Sequence, residues 1–429
     1  MTYHAFMRAS LPAFTLSRII PWFGVSLALS LIAHKSPSDL AVFSYVLALF
    51  SVVSALLPML LATFGNVTSS LSRNDSAKRD FFTAGFTIAV FLAVISGLLC
   101  LGVFLCALNF SSMRNIDMQT FKMLSLIYIP AVPLLSLNLF LQLFHEASGK
   151  SSECSRIKTF VTLVGALGLL MMYECSTSEL LTYGAMAYFL ITELAVLICL
   201  LKLSRPYKHF SFREAKNTAN SLLTQGLPIA IGLGGQKLYF YLIIEHLATT
   251  NTTLVAQFSL FMSIIGIVTI PAMELSQVHS LHTSQHATAA AENYRLGLSW
   301  LAVLVVSISV LLLFTGRALF ALISSAVINY TPGFYSAAVF FLATSACLGL
   351  ALAHLRARDD TSAPQFIINM LMLGGVMPFI YGIAWQDQSV TTLINLQGAA
   401  MLMGFLILHR RVRKIHRADE ITRLPAHPL

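Results

Sequence analysis

The chain has 429 residues, 57% of them hydrophobic and only 10% charged, with a formal net charge of +9 and a mean hydropathy of +0.77. Soluble domains carry about a quarter charged residues, so the composition excludes a soluble globular or disordered chain and leaves a polytopic membrane protein. The positive charge does not point to nucleic acid, because basic residues of membrane proteins gather in the loops on the cytoplasmic side.

Taken in order, Met1 to Leu11 is short and weakly polar, and Pro12 is expected to open an uncleaved first span. A spanning helix needs about 20 apolar residues, and twelve such runs are read at 12–33, 40–63, 82–108, 122–144, 157–173, 179–201, 227–247, 253–275, 296–314, 333–355, 364–385 and 390–409. The connections after the even-numbered spans hold most of the Lys and Arg, among them Arg73, Lys78, Lys150, Lys158, Lys202, Lys208 and Arg356, and the tail adds Arg410 to Arg417. The opposite side holds only Lys35, Arg114, Lys122 and Arg317. This bias places both termini in the cytoplasm. The six cysteines show no metal or disulfide spacing, and the Gly232-Leu-Gly234-Gly235 run lacks the preceding strand of a dinucleotide fingerprint.

The expected fold is all-α, with twelve transmembrane helices in two pseudo-symmetric six-helix bundles. Residues 1–201 form the first bundle, 202–226 a cytoplasmic linker, 227–409 the second bundle and 410–429 a basic cytoplasmic tail. The halves echo one another. Leu11-Pro12 corresponds to Leu227-Pro228, Leu40 to Ser44 corresponds to Leu254 to Ser259, and Pro58 to Pro271. An even number of spans per half relates the halves by an axis along the membrane normal, and internal repeats of this kind mark secondary transporters with a substrate site between the halves.

The stretch His354 to Pro364 carries the most specific pattern. Arg356, Asp360 and Thr361, with Pro364 and Pro378 beyond them, resemble the Arg-Gly-x-Gly-Asp-Thr-x-x-Pro signature that follows the tenth helix in the multidrug and toxic compound extrusion (MATE) family of the multidrug/oligosaccharidyl-lipid/polysaccharide flippase superfamily. Ala357 and Asp359 replace its glycines, and Phe144 to Lys150 is a degenerate twin after span 4. The resemblance implies a secondary exporter. It does not carry over the family's coupling carboxylates, because the matching positions fall near Leu27, Gln236 and Ser345, none of them acidic. On this reading Arg356 and Asp360 pair to brace helix ends and do not touch cargo.

Ionisable residues inside spans are costly and tend to face a cavity or a partner. Lys237 lies about 13 Å past Pro228 at 1.5 Å per residue, near mid-membrane, with Tyr241 and Glu245 following at four-residue steps on one face. It is either a cavity cation beside Gln236 or half of a structural Lys–Glu pair with Glu245 or Glu193. Arg18 either lines the same cavity or snorkels to the interface. Glu274 is either a solvated helix end or a gating acid. His279, His282 and His286 read as a solvated loop, since no Cys or acid completes a metal site. Gly374-Gly375 with Pro378 suggests a bendable eleventh helix.

These observations lead to a MATE-like antiporter exporting a drug-like or secondary-metabolite small molecule, with no catalytic residues, metal or cofactor. Its energy source is an ion gradient, H⁺ rather than Na⁺, acting through Glu193, Glu245 or Glu274. The alternative is a flippase for a lipid-linked oligosaccharide or other anionic lipid carrier. The expected setting is a bacterial inner membrane, with the lipid bilayer and the substrate as partners, no nucleic acid, and a functional monomer.

Overall fold

The computed structural model describes residues 2–61, 64–65, 68, 75–109, 117–148, 150–207, 211–324, 327–358, 360–383, 385 and 388–423. Arg73, Arg114, Lys208 and Asp359 lie outside the described residues. Twelve helices are long and apolar enough to cross a membrane, and no strand occurs among the described residues. They are α1 (Tyr3–Lys35), α2 (Pro37–Leu56, continued by a 3₁₀ turn Pro58–Leu61), α3 (Asp75–Asn109), α4 (Met118–Ala147), α5 (Ser151–Cys175) and α6 (Ser178–Leu203) in the first bundle. The second holds α7 (Phe212–Thr250), α8 (Thr252–Gln285), α9 (Ala290–Ser324), α10 (Pro332–Arg356), α11 (Ser362–Gly382) and α12 (Val390–Arg423). The chain is a multi-pass integral membrane protein.

The corners at the face away from the termini are set locally. Helices α2, α4, α6, α8 and α10 start at Ser36, Asp117, Thr177, Asn251 and Thr331, whose side chains each accept a hydrogen bond from a first-turn N–H. These are residues that favour N-caps because the side-chain oxygen satisfies an otherwise orphaned donor. Pro37 and Pro332 follow at the first helical position, where the missing N–H costs nothing. Asp117 shows the device most fully. It accepts from the N–H groups of Gln119 (3.2 Å) and Thr120 (3.1 Å) and from the Thr120 hydroxyl. Chiefly that hydroxyl, with the two backbone donors, holds its carboxyl below the usual range, so its contribution to stability is present above the ordinary carboxylate pKa and is lost as pH falls through the lowered one. Asp117→Ala should lower stability by about 1 kcal/mol, within the range for lost caps, and Asp117→Asn should recover most of it, as read by the midpoint of thermal unfolding in detergent.

The duplication is visible in the backbone. Single residues join α1 to α2 and α7 to α8: Ser36 at φ −156°, ψ 98° and Asn251 at φ −155°, ψ 96°. The two corners thus agree to within 2° in both angles. The ends of α4 and α10 also close alike, Lys150 N–H on the His145 carbonyl (2.9 Å) and Asp360 N–H on the Leu355 carbonyl (3.0 Å).

Three elements differ from the sequence reading. Pro12 does not open α1, which begins at Tyr3 and runs through both Pro12 and Pro21. The first turns are held because Tyr3 and Met7 are buried against Val278 of α8, beside Leu296 and Trp300 of α9. Helix α7 likewise begins at Phe212, inside the stretch expected as linker, with Pro228 in its interior. In α11 the bend takes the form of a π-helical segment, Met370–Val376, which contains Gly374-Gly375 and precedes Pro378. Proline lacks the N–H that would bond the carbonyl four residues back and clashes with it; widening the turn relieves both. Such bulges concentrate at functional positions.

Candidate functional site

Where the two bundles meet, α1 packs on α8 and α2 on α7, and between them lies a cavity of about 360 Å³. Equal steps from the corner residues Ser36 and Asn251 reach pairs of residues that both line it: Trp22 and Lys237, Val25 and Phe240, Ser44 and Ser259, Leu47 and Met262. The cavity therefore sits on the pseudo-twofold axis of the duplication. Methionines 372 and 401 and Gln397 close it from α11 and α12.

The face away from the termini is sealed. Leu40 to Val46 of α2 are all buried, as are Ile243, Ile244, Leu247 and Ala248 of α7 and Leu254, Val255 and Ala256 of α8. Tyr45 and Tyr241 meet there across the bundles, with ring centroids 6.1 Å apart. Toward the termini, Trp22 of α1 and Lys237 of α7 are exposed and line the cavity.

Lys237 is exposed into the cavity. Among the described residues no carboxylate stands within ion-pair distance of it. Glu245 takes the Tyr381 hydroxyl instead, at 3.5 Å, and Glu193 lies within the first bundle, its carboxylate 2.6 Å from the Asn138 amide nitrogen. Gln236 donates to Gln365 of α11 at 3.4 Å, and Tyr241 packs on Tyr45. Among the described residues the cavity thus holds a single cation and no lining acid. Ser44 and Ser259 add one hydroxyl from each half, both buried and without a hydrogen-bond partner.

Arg18 and Glu274 come together across the bundles. The Arg18 Nε lies 3.8 Å from the Glu274 carboxylate, with the Arg18 side chain 47% exposed and that of Glu274 only 11%. Glu274 is therefore a buried acid at the seam and not a solvated helix end. Nearer the cavity, the Ser263 hydroxyl donates to Ser26 at 2.7 Å and the Trp22 indole N–H to the Ser263 carbonyl at 3.1 Å, so α1 and α8 are stitched over several turns.

The family-motif residues stay away from the cavity. Asp360 is held by Arg411 of α12 through two hydrogen bonds of 2.5 and 3.1 Å, not by Arg356, which is exposed. The planar guanidinium fork of Arg411 reaches both carboxylate oxygens. Thr361 makes no side-chain cap, and Pro364 is buried in the first turn of α11. The brace expected between Arg356 and Asp360 runs instead from the α10–α11 turn to the last helix.

Two groups escaped the sequence reading. Lys158, counted as a loop cation, lies inside α5 and donates to Gln142, which donates in turn to Glu146 at 2.5 Å. The histidines are the second. Helix α8 runs on to Gln285, so His279 and His282 are buried. A chain of hydrogen bonds runs Tyr3–His279 (2.8 Å), His279–His354 (3.1 Å) and His354–His416 (3.0 Å), tying α1, α8, α10 and α12 at the termini face. The signal available was periodicity, since His279 and His282 keep to one helix face with the apolar Leu275 and Val278. The residues form a line and no metal-sized cluster occurs among the described residues.

No family model and no curated protein matches the sequence. Solved structures do. A multidrug resistance MATE family transporter of the MOP superfamily in an inward-facing conformation shares 14% identity over 96% of this chain and 99% of its own, with a TM-score of 0.74. The outward-facing conformation of a transporter so described gives 11% identity over 95% and 96%, with a TM-score of 0.61. A eukaryotic MATE transporter gives 11% identity over 96% and 98%, with a TM-score of 0.65. With two six-helix bundles related through matching corners and closed around a cavity on their shared axis, the chain has the fold of the MATE transporters.

Proposed function

We propose that the protein is a secondary active exporter that takes a small molecule into the central cavity and releases it by alternating access, driven by a proton gradient. The observation that carries this reading is the cavity on the pseudo-twofold axis, sealed at the face away from the termini. The face bearing the termini is the cytoplasmic one by its basic loops, so the arrangement corresponds to the inward-facing state, and the higher TM-score to an inward-facing relative supports that. The cavity volume of about 360 Å³ falls at the low end of the range for small-ligand sites, about 300–1,000 Å³, and favours a small molecule over a lipid-linked oligosaccharide.

Proton coupling needs a carboxylate whose state changes the balance between the two bundle arrangements, because a ligand shifts an equilibrium only by its differential affinity for the two states. Glu193 and Glu245 each bond within one bundle. Glu274 alone of the three candidates reaches across, to Arg18. Protonating it removes the charged tie between α1 and α8 and leaves their neutral hydrogen bonds in place, so the proton is read as a change in the seam. In proteoliposomes, an imposed pH gradient should accelerate movement of a transported dye several-fold over a matched-pH control, and a Na⁺ gradient should not; equal rates in all three conditions would overturn the proton reading.

A further inference from the structure

The cavity's own chemistry narrows the substrate class, and this step rests on the cavity being the transport site. Its walls are unequal. At the position where the first bundle presents the Trp22 indole, the second presents the Lys237 ammonium. An ammonium facing an apolar enclosure is costly unless something offsets it. Among the described residues no carboxylate lines the cavity, and the two acids that the sequence offered as partners, Glu245 and Glu193, are engaged by Tyr381 and Asn138. Further polar groups that want a partner line the same cavity. The Ser44 and Ser259 hydroxyls are buried and unpartnered, and the Tyr239 hydroxyl stands beside the Gln397 amide. The rest is soft apolar surface, Trp22 with three methionines, which adapts to varied hydrocarbon shapes.

We infer that the cavity binds a small amphipathic monoanion, a carboxylate or sulfonate on an aromatic or aliphatic body, with the anionic group on Lys237 and the two serine hydroxyls and the body against Trp22 and the methionines. An organic cation of the same size meets the unpaired ammonium with no acid to neutralise it. The pseudo-symmetry also orients the cargo. Its charged end lies toward the second bundle and its apolar end toward the first, so a substrate crossing the membrane keeps its head on α7.

The test uses the purified full-length protein and two probes with one ring and opposite heads, 1-naphthaleneacetate and (1-naphthylmethyl)trimethylammonium. Calorimetry in detergent reads binding, and counterflow in proteoliposomes reads movement. The expected result is saturable binding of the acid, weakened about tenfold to a hundredfold by Lys237→Met, in the range for losing a charge-assisted contact, and largely kept by Lys237→Arg. Lys237→Glu should reverse the preference toward the cation. Unfolding midpoints of the variants within a few degrees of the parent establish that they fold, and the Met and Arg variants keep the test valid if the Glu variant does not. Tighter binding of the cation by the parent, or no change in acid binding in Lys237→Met, would overturn the inference. So would binding of neither probe. Saturable binding of a short-chain lysophosphatidate with no binding of the free acid would assign the site to a lipid headgroup and sink the soluble-acid assignment. Binding of the acid without counterflow would leave the anion site standing and remove the transport reading. Movement of the cation alone would do the reverse.

Discussion

Gly226→Ala should destabilise the folded protein by about 1–3 kcal/mol, the usual cost of overpacking, and lower its unfolding midpoint by several degrees. A Cβ at this position would stand 2.0 Å from the Leu60 carbonyl oxygen and 2.6 Å from its carbon. Both are backbone atoms, so no rotamer change relieves the clash and the 3₁₀ turn ending α2 must move away from α7. Helix propensity pulls the other way, because Ala is favoured over a mid-helix Gly by about 1 kcal/mol, but a backbone collision at that distance outweighs it. Gly102 of α3 supplies the contrast. Nothing stands within 4 Å of a Cβ there, so Gly102→Ala should be neutral or stabilising. Opposite signs for two Gly→Ala changes in helices of one protein are the expected outcome, read by thermal unfolding in the same detergent. Equal signs would mean that α2 and α7 do not meet as closely as described.

Glu274→Gln should reduce transport driven by a pH gradient by about tenfold, equivalent to about 1.4 kcal/mol, and leave exchange at matched pH largely intact. The reasoning turns on magnitudes. An ion pair at 3.8 Å with one partner half exposed contributes on the order of 1 kcal/mol or less, so it latches the seam weakly enough to open in every cycle. Losing it should hardly move the unfolding midpoint. The glutamine removes a buried charge, one oxygen of which has no hydrogen-bond partner, and this offsets part of the lost pair. A loss of gradient dependence without a loss of stability is the signature of a coupling residue. A large fall in stability with parallel loss of both transport modes would mark Glu274 as structural. Arg18→Gln should produce the same pattern more weakly, since the pair is lost but the Glu274 carboxyl remains to take the proton.

Much of this architecture was written in local sequence. Twelve apolar runs and the alternation of basic loops follow from what a bilayer tolerates. The corners at Ser36 and Asn251 carry cap residues whose preference is intrinsic to a few atoms. The echo between the halves placed Ser44 opposite Ser259 before any contact was known. What escaped depends on partners far apart in the chain. Nothing near Pro12 announces that Tyr3 will find His279, so the usual preference of proline for a first helical turn misplaced the start of α1. Spacing made Glu245 a natural mate for Lys237, yet Tyr381 of α11 takes it, because helical periodicity lists who shares a face and not what faces them. The same limit applies to Asp360, whose partner Arg411 sits at the far end of α12 and looked like one more topology-setting cation. The histidines were assigned to solvent because the eighth span was ended at Leu275, whereas α8 continues to Gln285; Lys158, inside the span read at 157–173, was counted with the loop cations on charge alone, and its partner Gln142 lies in another helix.

The first turns of α1 belong to one bundle by sequence and rest on the other. Tyr3 bonds to His279 of α8 and His4 accepts from Trp300 of α9, while Ala28, Leu29, Leu31, Ile32 and Ala33 are buried toward the opposite face. A rod fixed at both ends to bodies that swing apart cannot stay straight. It must let go at one end or yield along its length. Pro12 and Pro21 lie between the two anchorages and leave the carbonyls of Arg8 and Ser17 without their usual helical donors. Bending there breaks fewer hydrogen bonds than bending elsewhere, so α1 acts as a jointed tie-bar whose two soft points set how far the halves can travel before the Tyr3 end comes free.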